Sequence, residues 1–169
     1  IADAYEFLAN ETECRAIILA SEGKSFCAGS SVVTTGQLTT EEQQVVPSGT
    51  ATGRNHIYEQ GTRMMLGEIP VIAAIQGAAI GGGLGLALTA DFRVAAPEAR
   101  FSANFARLGF HHGFGLTVTL PKLVGGQAAM NLLLTGRRVK ADEALQLGLC
   151  DEVVDLAGLR TRAGVLANE

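Results

Sequence analysis

The chain has 169 residues, of which 47% are hydrophobic and 18% charged, and it carries a formal net charge of −4. That length fits one domain with a sizeable core, and this balance of apolar and charged residues excludes a disordered chain. The acidic balance offers no basic face to nucleic acid, and no run of residues has the apolar character of a membrane span.

The nearest approach to a span, residues 69–90, is broken by Gln76 and a cluster of glycines that suits turns better than a bilayer. Cys14, Cys27 and Cys150 are scattered and odd in number, with no CxxC or His-rich spacing. Neither a disulfide framework nor a metal site is expected, and a reduced, cytoplasmic setting follows. The chain opens inside an acidic helical pattern without a basic start. No signal peptide is expected, and the chain reads as a piece of a longer protein.

In chain order, Ala4, Phe7 and Leu8 have helical spacing over residues 1–10, with a stop at 10–12. Residues 15–20 (RAIILA) form a short apolar run, as expected of a strand buried on both faces. A turn at 21–24 and the small residues of 26–31 follow. Residues 32–52, rich in Thr, Gln, Ser and Gly, read as a loop over a site. A helix is expected over 54–66, ending before Pro70. A second buried strand covers 71–75, broken by 77–83, and a helix begins at 84–89. The pattern then gives a strand at 91–95, a loop with a short strand over 101–115, helices at 117–124, 127–134 and 141–147, and a strand near 150–154. Strands alternating with helices imply a layered α/β fold with a mostly parallel sheet. No internal repeat is visible.

Gly81, Gly82 and Gly83 stand between a strand and a helix. Without Cβ atoms, backbone can approach a ligand closely, and the helix start adds unpaired N–H groups that suit an oxyanion or phosphate. The same triplet also serves for close helix–strand packing. Two nucleotide readings fail: a dinucleotide fingerprint meets Leu86 where its third glycine belongs, and a P-loop ending at Gly23, Lys24 and Ser25 meets Ile18 in place of its first.

Three ordered blocks then carry a resemblance. Residues 16–31 (AIILASEGKSFCAGSS), 69–95 (IPVIAAIQGAAIGGGLGLALTADFRVA) and the segment from Leu134 to Val154 resemble the crotonase superfamily, the enoyl-CoA hydratase/isomerase family. The resemblance implies a spiral of ββα units over residues 1–169, an acyl-CoA-binding core without the family's C-terminal helices. It implies an oxyanion hole from the backbone N–H groups of Ser30 and Gly82. Lys24, Phe26 and Ala28 match positions that cradle coenzyme A, although Phe26 reads equally as a core aromatic. Ile80, Gly81, Phe105 and Leu108 match positions around the acyl group, and Ser31 orients substrate or caps a turn. The implied partner is an acyl-CoA small molecule, with coenzyme A arriving as part of the substrate and no tightly bound cofactor. The full-length protein is expected to be a homotrimer or hexamer.

The sequence departs from this pattern where protons would move. The two hydratase glutamates align with Gly85 and Phe105, and the aspartate of other branches aligns with Gly113. His111 and His112 lie in the matching loop, and His112, at a pocket-facing position, is the candidate acid or base. Arg107 pairs with a carboxylate of substrate or protein, or forms a surface ion pair. Asp91 and Arg93 read as structural, and Asp142 and Glu143 as the first turn of a helix. Three functions therefore stand open: a lyase or isomerase acting through a thioester enolate; a hydrolase, decarboxylase or C–C lyase using the same oxyanion hole; and a binding protein that has lost catalysis. A serine peptidase of the related ClpP-like fold would need a serine within 77–83, and none is there.

Overall fold

The computed structural model describes residues 1–11, 13–29 and 57–169. The loop expected at 32–52, the start of the helix expected at 54, and both Ser30 and Ser31 lie outside the described residues.

Helix α1 (Ala2–Glu11) packs on α2 (Ile57–Met65). Its buried face is Ala2 and Tyr5, while Phe7 is exposed, so the stripe expected from Ala4 and Phe7 is not the one used. The reason is an anchor: the Tyr5 hydroxyl donates to the Ile69 carbonyl and accepts its N–H, each at 3.0 Å. Arg63 of α2 then bridges Asp3 and Glu6 on the outside of the pair.

Strands β1 (Ile17–Leu19), β2 (Val71–Ile75), β4 (Phe92–Ala95) and β7 (Glu152–Val153) form a parallel sheet in the order β1-β2-β4-β7. All five residues of β2 are buried, because both faces of the sheet's centre are covered. Val71, Ala73 and Ile75 face the main core with Leu84, Phe101, Leu116 and Leu120. Ile72 and Ala74 face a smaller cluster built on Leu159 and Ala163 of α7 (Leu159–Asn168). The sequence pattern assigned nothing beyond 154, so α7 is an addition. β1 corrects an expectation: it is an edge strand, and Ile18, paired with Ile72, is 40% exposed rather than buried on both faces.

A second sheet, β3 (Ala78–Ile80), β5 (Arg100–Ser102) and β6 (Val139–Lys140), is parallel at β3–β5 and antiparallel at β5–β6. β3 lies inside the segment that the glycines were expected to break. The chain turns from one sheet to the other at Gly77, where a Cβ would lie 2.0 Å from the Lys24 carbonyl oxygen. β2 and β3 lead into α3 (Gly82–Ala87), and β4 and β5 into a 3-10 turn (Asn104–Leu108) and α4 (Leu116–Val124). This recurring strand–strand–helix step is the spiral of ββα units, a repeat of geometry without repeated residues. α5 (Gly126–Thr135) and α6 (Ala141–Leu147) complete the layer.

Arg93, 2% exposed, confirms its structural reading: it donates to the carbonyls of Ala90 at 2.6 Å and Leu149 at 3.1 Å and pairs with Asp151. Asp91 accepts the Val71 N–H at 2.8 Å, and Asp142 and Glu143 stand in the first turn of α6, where Glu143 pairs with Arg137. Cys14, Cys27 and Cys150 form no disulfide with one another.

Candidate active site

The three glycines at the start of α3 answer three different demands. Gly81 has φ 58° and ψ −118°, a backbone conformation open to glycine, and its N–H is held by the Ser102 carbonyl at 2.8 Å. Gly83 is a packing glycine, since a Cβ there would lie 1.9 Å from the Cys27 carbonyl oxygen. Gly82 is neither: the nearest atom to a Cβ there is Phe114 Cδ2, at 4.0 Å. Its N–H is the first of α3 and has no acceptor among the described residues. The run therefore fixes Gly82 from both sides and leaves its amide without an acceptor among the described residues.

The loop before Ser30 is laid along β3. Cys27 donates to Ala78 at 2.9 Å and accepts from Ile80 at 3.0 Å, making an isolated parallel bridge with Ala79. Gly29, at φ 88°, approaches Ile80 so closely that a Cβ would lie 2.8 Å from its carbonyl oxygen. Backbone contact thus follows β3 to the residue before Ser30. Lys24 and Ala28 are exposed, whereas Phe26, 7% exposed, belongs to the main core. The start of this loop is gripped by Gln76, whose side-chain nitrogen donates to Ser21 Oγ at 2.7 Å and lies 3.0 Å from the Ser21 carbonyl and 3.2 Å from that of Ser25.

Phe105, on the 3-10 turn, is half-buried against the core and close to Gly81, and Ile80 is half-buried while Leu108 is exposed. His112 meets Phe105 edge-on, with ring centroids 5.9 Å apart. Its Nδ1 is buried without a hydrogen-bond partner among the described residues. Burial, and then the neighbouring His111, hold its pKa below the ordinary histidine value of 6.5, so the ring is neutral at pH 7. His111 is exposed, its Nδ1 2.9 Å from the His112 carbonyl oxygen. Arg107 pairs with no carboxylate among the described residues; its Nε donates to the Thr135 carbonyl at the end of α5, at 2.8 Å.

Aromatic rings fill two of the places where carboxylates were sought. A side chain at Gly85 would start 2.5 Å from the Cβ of Phe114, and one at Gly113 would start 2.2 Å from the Tyr58 hydroxyl. Sequence reasoning missed Phe114, Tyr58 and Gln76. The one available signal was Gly85 itself, since glycine inside a helix costs about 1 kcal/mol against alanine and asks for a packing reason. A shallow hollow of about 730 Å³ at the start of α5, beside Gln127, Asn131 and Arg137, contains none of the site residues expected from the sequence. Among the described residues, no group of three or more His, Cys, Asp or Glu gathers as a metal site, and no helix is long and apolar enough to cross a membrane.

A family model described as enoyl-CoA hydratase/isomerase matches residues 1–169. The short-chain-enoyl-CoA hydratase of Clostridium acetobutylicum is 39% identical over 163 residues, covering 95% of this chain and 59% of that protein. The chain thus spans about three fifths of this relative's length. Among solved structures, an enoyl-CoA hydratase from Bacillus anthracis superposes with a TM-score of 0.84 at 32% identity, covering 98% of this chain and 62% of the other. One from Geobacillus kaustophilus also gives 0.84, at 31% identity, with 99% and 62% covered.

Proposed function

The chain belongs to the enoyl-CoA hydratase/isomerase family, and from that premise we propose that it binds an acyl-CoA thioester with the carbonyl oxygen on the Gly82 N–H. The observation that carries this reading is the division of labour at the glycines: Gly81 and Gly83 are fixed by backbone and packing, and the Gly82 amide has no acceptor among the described residues. Negative charge that develops on the thioester oxygen, as enolate or tetrahedral oxyanion, is stabilised there. A donor placed for this purpose is worth about 3–4 kcal/mol in the transition state. The Ser30 N–H is the second donor of the proposal, with Ser31 beside it. Lys24 and Ala28 hold the coenzyme A portion on a loop that Phe26 roots in the core, and Ile80, Gly81, Phe105 and Leu108 surround the acyl end.

His112, neutral and with no partner at Nδ1 among the described residues, takes or returns the proton at the acyl carbon. Phe105, and Phe114 packed on Gly85, occupy the places of the two glutamates, which favours enolate chemistry without paired carboxylates. The same observation supports a second reading, in which hydrolysis, decarboxylation or C–C cleavage of a CoA thioester or β-diketone runs through the same oxyanion site. The proposal places the full-length protein in the cytoplasm as a homotrimer or hexamer, in acyl-CoA metabolism such as that of fatty acids, with no tightly bound cofactor.

Calorimetric titration with crotonyl-CoA, malonyl-CoA and free coenzyme A, followed by product analysis, tests this. Thioester binding with release of an isomerised or hydrated acyl-CoA supports the first reading. Release of free CoA, CO₂ or a cleaved acid supports the second. Binding without turnover leaves the non-catalytic homologue, and no binding of any thioester defeats the proposal.

A further inference from the structure

Phe114 is the one described residue other than glycine with a positive φ, 54°. An aromatic residue stays in that conformation only when its surroundings hold it there. Two glycines provide the hold. A side chain at Gly61 of α2 would start 3.0 Å from ring atoms Cε1 and Cζ, and one at Gly85 of α3 would start 2.7 Å from Cδ1. One edge of the ring is therefore seated between two helices, in space that exists because neither glycine carries a Cβ. Tyr58 meets the ring edge-on at 6.3 Å and fixes its tilt. The opposite edge, through Cδ2, is the nearest neighbour of Gly82, 4.0 Å from where a side chain there would begin.

We infer that Phe114 is a specificity-determining residue: its Cδ2 edge, on a residue that is 9% exposed, is the wall that limits the length of the acyl chain held at Gly82. The inference rests on the reading of Gly82 as the thioester oxygen's donor. With the carbonyl oxygen on that amide, the first carbons of the acyl chain come to lie beside the ring, an apolar surface with no proton to give. A short apolar acyl group fits against it, and a longer one meets it.

The test is calorimetric titration of a saturated series, acetyl-, butyryl-, hexanoyl-, octanoyl- and decanoyl-CoA, against the protein and its Phe114→Ala and Phe114→Leu variants. The unaltered chain is expected to lose at least tenfold in affinity between the short and long members. Phe114→Ala is expected to recover that loss for octanoyl- and decanoyl-CoA while acetyl-CoA changes less than twofold. Phe114→Leu, which keeps most of the packing, is expected to move the cut-off in the same direction by a smaller step, and it decides the matter alone if the alanine variant does not fold. A chain-length profile unchanged in the folded variant overturns the inference and leaves the Gly82 reading standing. Failure of every thioester to bind the unaltered chain overturns both.

Discussion

The two sides of the candidate site are built from opposite materials. On one side, the start of α3 and the adjoining stretch 27–29 are almost pure backbone, set by the Cys27–Ala79 bridge, the Gly81 bond to Ser102 and the tight approach of Gly83 to Cys27. On the other, the loop 109–115 is made of side chains: His112 against Phe105, and Phe114 held in a strained conformation by glycines of two helices. Under the proposed function the first side supplies the donor for the oxyanion, and the second, with rings of Phe114 and Tyr58 in the space beside Gly85 and Gly113, sets the reaction.

The sharpest way to break the first side is Gly83→Ala. A Cβ 1.9 Å from a carbonyl oxygen forces backbone apart, so the variant should lose about 3 kcal/mol in chemical denaturation. Gly82→Ala, one residue earlier, should stay within about 0.5 kcal/mol, because nothing stands in the way. Equal losses at the two positions would mean that the glycines share one packing role. Gln76→Ala should cost about 1 kcal/mol, since Ser21 Oγ loses its donor while the Ser25 and Ser21 carbonyls keep those from Ser21 Oγ and Arg160. It should also raise KM for a CoA thioester several-fold with little change in kcat, because Gln76 positions the loop that carries Lys24 and makes no contact at Gly82.

These contrasts bear on how much the sequence revealed. The glycine run was legible at Gly81 and Gly83, where a backbone conformation and a close packing contact each select that one residue type. β2 and α6 were legible to the residue, since a fully buried strand leaves a short continuous apolar run and a helix with an acidic first turn marks its own start. β3 was not: three residues between glycines carry no period, and the parallel partner β5 lies about twenty residues on. The aromatic side of the site was illegible for a similar reason. That Phe114 occupies the space at Gly85, and Tyr58 the space at Gly113, depends on packing between distant segments. The resemblance aligns Gly85 and Gly113 with the carboxylates it leads one to expect and says nothing of the rings that fill the space there.

The smallest effect expected belongs to His112. Its pKa is lowered in the fold by burial first, so the folded state binds fewer protons than the unfolded chain. Its contribution to stability is whole above the unfolded value of 6.5 and is lost as pH falls through the lower folded value. Denaturation midpoints of His112→Gln between pH 7 and pH 5 should accordingly fall less steeply than those of the unaltered chain. If His112 also moves the proton, the acid limb of kcat should lie below pH 6.5 and vanish in the variant, whereas a merely packed ring would leave that limb in place.

The central claim is that Gly82 acts through its N–H alone, and one pair of variants isolates that atom. Alanine keeps the amide and has room for its methyl group, while proline is tolerated at the first position of a helix and removes the amide. With both variants folded by circular dichroism, turnover of whichever CoA thioester the protein processes should fall no more than several-fold in Gly82→Ala, whose methyl group narrows the gap to Phe114 and keeps the N–H. In Gly82→Pro it should fall by about 10²–10³-fold. Comparable turnover in the two variants would contradict the oxyanion site, because the reaction would then proceed without the one donor on which the account depends.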